Sequence, residues 1–66
     1  MDFIEKAKIR IEHWIEHSDH HIEDYTSFAD QLDQEGKTES AEYIREMIDL
    51  NIKSTECLKK ALKGLE

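Results

Sequence analysis

The eight residues Asp33-Gln34-Glu35-Gly36-Lys37-Thr38-Glu39-Ser40 decide the fold, because Gly36 alone interrupts an otherwise unbroken helical pattern between Asp2 and Lys63. Glycine accepts the left-handed backbone that closes a helix, and Thr38 is expected to cap a second helix whose first turn carries Glu39 and Glu42. Upstream, Ile4, Ile11, Ser18, Tyr25 and Leu32 fall seven apart, as do Ala7, Trp14, His21 and Phe28, with Ile15, Ile22 and Ala29 widening the stripe. That is the a/d/e face of a bundle helix. Asp2 followed by Glu5 has the form of a capping box. Downstream, Ala41, Ile44, Met47, Ile48, Leu58, Ala61, Leu62 and Leu65 repeat the bundle pattern, and Gly64 marks a fraying end. The reading is all-α: one antiparallel two-helix hairpin over 1–66, with helix 1 over about 2–35, the turn at 36–37 and helix 2 over about 38–63.

Composition limits what this hairpin is. The chain has 66 residues, 38% of them hydrophobic and 38% charged, so little material remains for a private core. Chains this short bury only about 60% of their unfolded surface and need a staple. A lone Cys57 rules out an internal disulfide, which leaves oligomerisation, a metal, or both. Two helices do not shield a stripe carrying Trp14, Tyr25, Phe28 and several Ile. A homodimeric four-helix bundle is the economical solution, and docking on a partner protein is the alternative. The formal charge of −7 disfavours nucleic acid and anionic membranes, which attract basic patches. No stretch has the length and apolarity of a membrane span or the design of a signal peptide, so a cytoplasmic location is expected.

All four histidines, His13, His17, His20 and His21, lie within nine residues of helix 1. Projected down the helix axis they share one face with Asp24, flanked by Glu16 and Glu23. The core stripe, judged from Ile11, Trp14, Tyr25 and Ala29, runs beside that face on the His21 side. His21 is therefore placed inside the core, His17 on its rim, and His13 and His20 towards solvent. Spacing of i, i+4 lets two imidazoles converge on one ion, and imidazole suits Ni, Co, Zn or Cu. Helical histidine pairs also occur on solvated faces or as hydrogen-bonded residues at a core edge, a reading that four on one face makes less economical.

If the hairpin turns at Gly36, residues whose numbers total about 72 lie side by side. His21 then faces Asn51, Ser18 faces Ser54, and Thr55 is level with His17. Both helices turn polar at one height, between apolar layers near the turn and near the termini. Such a layer is either a hydrogen-bonded network that fixes register or the outer support of a metal site. In a two-fold dimer, His17 and His21 of both chains would supply four imidazoles, with Asp24 or Glu16 as a substitute ligand or orienting group. The competing geometry is an open site of His13, His17, His20 and Asp24.

Other chemistry finds little support. Cys57 falls on the flank of helix 2 and reads as a packed or half-exposed thiol. Helix 2 has no histidine for the Glu-x-x-His pairs of di-iron bundles, and there is no phosphate-cradling loop or Ser/His/Asp constellation. No enzyme is expected. The segment His13-Trp14-Ile15-Glu16-His17 with His20 and His21 resembles a group of small uncharacterised bacterial and archaeal helical-hairpin domains. That resemblance implies nickel or cobalt handling, carried over to His13, His17 and His21. Ser18, Asp19 and the polar Asn51, Ser54 and Thr55 depart from the group's pattern. The expected function is binding of a divalent transition metal for storage, delivery or sensing. The alternatives are a metal-free interaction module and a pH-responsive bundle.

Overall fold

Asp2 starts the first helix from extended backbone (φ −78°, ψ 176°). Its carboxylate accepts a hydrogen bond from the backbone N–H of Glu5 at 2.9 Å, satisfying a donor that has no partner inside the helix. In the computed structural model, which describes all residues from Met1 to Glu66, this helix, α1, spans Phe3–Gln34, and a second, α2, spans Thr38–Lys63. The molecule is an all-helical hairpin with Cα extents of 51 × 16 × 11 Å. No helix is long and apolar enough to cross a membrane.

The turn closes α1 by two backbone bonds. Lys37 N–H donates to the Leu32 carbonyl at 2.8 Å, and Gly36 N–H donates to the Asp33 carbonyl at 3.0 Å, the pairing of a Schellman motif. Gly36 takes φ +78°, the only positive φ in the chain. A Cβ there would meet nothing within 4 Å, so the demand is on backbone conformation and not on space. The turn hands the chain to α2 one residue earlier than expected. Lys37 takes the N-cap position without a side-chain cap bond, and Thr38 is the first helical residue instead of the cap.

The helices meet along a narrow seam. Buried and half-buried residues recur by alternating steps of three and four: Ile11, Ile15, Ser18, Ile22, Tyr25, Ala29 and Leu32 on α1, and Ala41, Ile44, Ile48, Asn51, Thr55, Leu58 and Leu62 on α2, with Leu65 continuing the line just past its end. That is the 3.5-residue repeat of a coiled coil. Ala29 and Ala41, both 0% exposed, sit near the turn, where small side chains let the helices approach closely. The only other buried residues are Ile48 and Thr55, and no large side chain is fully enclosed.

This seam corrects the a/d/e face read from the sequence. The line Ala7, Trp14, His21 and Phe28 flanks the seam; Trp14 is 49% and Phe28 51% exposed, and His21 is exposed rather than in the core. One facing helix covers two residues per heptad and leaves the third beside it. The register also shifts: Ser18 faces Thr55 at 2.6 Å, not Ser54, which is exposed.

The two flanks differ in character. On one, Arg45 reaches across to Asp30 at 3.0 Å and Asp33 at 2.6 Å. On the other, α2 presents Tyr43, Met47, Leu50, Ser54, Cys57 and Ala61 at steps of four and three, beside Trp14, His17, His21 and Phe28 of α1. Of these, only Met47 is even half-buried.

Candidate functional site

The buried groups of the polar level at mid-height find their partners within the chain. Thr55 Oγ1 donates to the Asn51 carbonyl at 3.0 Å, so Ser18 Oγ donates to Thr55 Oγ1 across the seam. Asn51 Nδ2 donates to the Met47 carbonyl at 2.9 Å. No buried side-chain nitrogen or oxygen lacks a partner. The bonds of this layer run to a hydroxyl across the seam and to backbone carbonyls within α2.

The histidines stand just outside this level. His13, His17 and His21 form a row at i, i+4, i+8, with ring centroids 4.6 Å apart for the first pair and 5.9 Å for the second. Tyr25 extends the row, its ring stacked on His21 at 5.8 Å and 14° between planes. A groove lined by His13, Trp14, His17, Ser18, His21 and Asn51 joins the row to the polar level. All four histidines, Asp24 and Glu16 are exposed. His20 lies outside the row, and the open set of His13, His17, His20 and Asp24 is not assembled: no three His, Cys, Asp or Glu side chains gather as they stand into a group able to hold a metal ion. Cys57 is a free, exposed thiol on the same flank as the row.

Two features escaped the sequence reading. The uncharged α2 stripe is legible in the spacing of Tyr43, Met47, Leu50, Ser54, Cys57 and Ala61, but the sequence reading places Met47 and Ala61 in the core, Ser54 in the polar level and Cys57 on the flank, and does not join them to Tyr43 and Leu50 as one line. The Arg45 pairing with Asp30 and Asp33 spans the turn, so no within-helix spacing signals it. Hydrogen bonds to Asp33 and then Asp30 raise the Arg45 pKa above the ordinary arginine value.

A domain of unknown function, DUF8180, matches residues 7–65, which takes in α1 from Ala7 onward, the turn, all of α2 and the whole histidine row. The chain belongs to this family. No curated protein and no solved structure is similar enough to add a relative to the comparison. The matched span leaves out Met1–Lys6 and Glu66, so every element of the groove lies within the family domain.

Proposed function

We propose that the chain is an assembly module, in which two hairpins pair through the open flank to make a homodimeric four-helix bundle. One observation carries this reading: Tyr43, Met47, Leu50, Ser54, Cys57 and Ala61 form an uncharged stripe with the same three-and-four spacing as the internal seam, and Tyr43 and Leu50 are 65% and 60% exposed. A stripe of this period fits another helix of the same kind. A second copy suits it by charge. Arg10 and Asp24 are the charged residues of the α1 stripe, seven residues either side of His17 and opposite in sign. A two-fold axis crossing the flank near His17 brings each Arg10 towards Asp24 of the other copy, with polar residues against polar at the centre and apolar residues outward. Light scattering across micromolar concentrations tests this. The native chain is expected at twice 7.8 kDa. Leu50→Glu should be monomeric, while Ile52→Glu, away from the stripe, should still pair. A monomer at every concentration overturns the reading, and a stable complex only with a different protein would replace the second copy by that partner.

A second reading is favoured by the histidine row itself: binding of a divalent transition metal (Ni, Co, Zn or Cu) for storage, delivery or sensing. Nickel or cobalt is the choice that the resemblance of the His-Trp-Ile-Glu-His segment implies. The row offers the i, i+4 donor spacing that such ions use. Equilibrium dialysis against these ions at neutral pH, with His17→Ala as the comparison, checks it, and an equal, stoichiometric uptake by both chains would count against the histidines as ligands.

A further inference from the structure

We infer that the homodimer holds two divalent transition ions, each on His13 and His17 of one copy and His21 of the other. The inference rests on the homodimer reading and adds to it a metal site that neither copy completes alone. At 3.6 residues per turn, His13, His17 and His21 span about 80° of the α1 circumference, so all three face out of the open flank. Along the helix, however, His13 and His21 stand about 12 Å apart, too far for one chain to close all three on one ion. The hairpin accordingly gathers no group of three ligands. Pairing folds the two ends of the row together. The two-fold axis that sets Arg10 against Asp24 of the second copy runs α1 antiparallel to its counterpart and makes residues whose numbers total 34 level with each other. His13 is then level with His21 of the second copy, and His17 lies at the axis. Bundle helices pack about 8–10 Å apart, within reach of imidazoles splayed to either side of the contact line, as His13 and His21 are.

The spacing of the rings decides which copy gives two ligands and which gives one. With metal–nitrogen distances near 2.0–2.1 Å, two imidazoles on one ion have ring centres about 5 Å apart in a tetrahedral site. The His13–His17 separation of 4.6 Å lies nearer this value than the His17–His21 separation of 5.9 Å. His13 and His17 therefore form the pair from one chain, and His21 comes from the second. The Tyr25 ring stacked on His21 at 5.8 Å steadies the imidazole that has to cross. Three neutral nitrogens leave a fourth position for water, the ligand set of an open, exchangeable Zn or Co site. Arg10 lies one turn before His13 and repels a cation, an effect that Asp24 of the second copy, level with Arg10, offsets.

The test uses the full chain, freed of metal by chelation. Zn(II) is titrated by calorimetry and Co(II) by visible absorption, with mass followed by light scattering and helix content by circular dichroism. The expected result is about one ion per chain in a dimer, with the intense visible bands of four-coordinate Co(II). His13→Ala and His21→Ala should each weaken binding by at least about tenfold while remaining helical dimers, and His20→Ala should stay within about threefold. The deciding measurement mixes the two weakened variants in equal amounts and refolds them together. A dimer with one chain of each keeps one intact site, His13 and His17 from one chain and His21 from the other. About half of randomly paired dimers are of this kind, so the mixture should regain tight binding of about one ion per four chains. Tight uptake by the native dimer with no recovery in the mixture overturns the shared site. A dimer that takes up no ion overturns this inference and leaves the assembly reading standing. A chain monomeric with and without the ion overturns both.

Discussion

Thr55 is the one polar side chain among the four buried residues, and its hydroxyl is used twice, donating to Asn51 and accepting from Ser18. The two partners are therefore not equivalent. Thr55→Val keeps the shape and strands the half-buried Ser18 hydroxyl, at a cost of about 0.5–1.5 kcal/mol. Ser18→Ala leaves Thr55 bonded to the Asn51 carbonyl, and the loss should be smaller. Replacing both with apolar residues should recover most of the stability, since neither hydroxyl is then left without its partner. Urea denaturation of the two single variants and the double variant measures this, and additive losses would contradict it. The polar level itself was legible in the sequence from Ser18, Asn51 and Thr55 falling at one height. Which hydroxyl meets Ser18 was not, because it turns on a one-residue difference in register set by the geometry of the turn.

The helix ends show the same division between local and tertiary information. Asp2 acts as the cap its spacing to Glu5 implies, and Asp2→Ala should cost about 1 kcal/mol. For a domain of this size that lowers the melting temperature by roughly 4–8 °C per kcal/mol in a thermal scan. Gly36→Ala forces a Cβ into the left-handed region at φ +78° and should cost about 1–2 kcal/mol, although nothing lies in the way of the added methyl group. Thr38 looked like a cap because threonine often is one; the Schellman bonds from Gly36 and Lys37 settle the chain one residue sooner, and a composition rule carries no such information. Arg45 ties the start of α2 to the end of α1 through Asp30 and Asp33. Its raised pKa means that, while Asp30 and Asp33 carry their charges, the pairing contributes stability below the strongly alkaline range and loses it as pH rises through that range. Both partners are exposed enough to be screened, so Arg45→Gln should lower the melting temperature slightly at low salt and very little at 1 M salt, where the Debye length is about 3 Å.

At the scale of the molecule, the apolar surface of Tyr43, Leu50, Trp14 and Phe28 exceeds what two helices enclose. Heptad spacing made the hairpin legible, because a 3.5-residue repeat on two segments joined by a short turn leaves few other folds. The same spacing did not separate inner seam from outer stripe: His21, Trp14 and Phe28 fall seven apart as regularly as Ser18 and Tyr25 do. Only the packed partner decides which line is covered. If the outer stripe is covered by a second copy, the melting temperature should rise with protein concentration, and Leu50→Glu should abolish that rise. A melting temperature independent of concentration over two decades would count against pairing.

The radius of gyration, 15.4 Å, exceeds the roughly 11 Å expected of a compact chain of this length, and the long axis is more than three times the next. A rod experiences more friction than a sphere of equal mass. The monomer should therefore emerge early from a sizing column, where it can pass for a dimer. In nuclear relaxation, amide vectors along the helix axes should report slower tumbling than the mass alone implies.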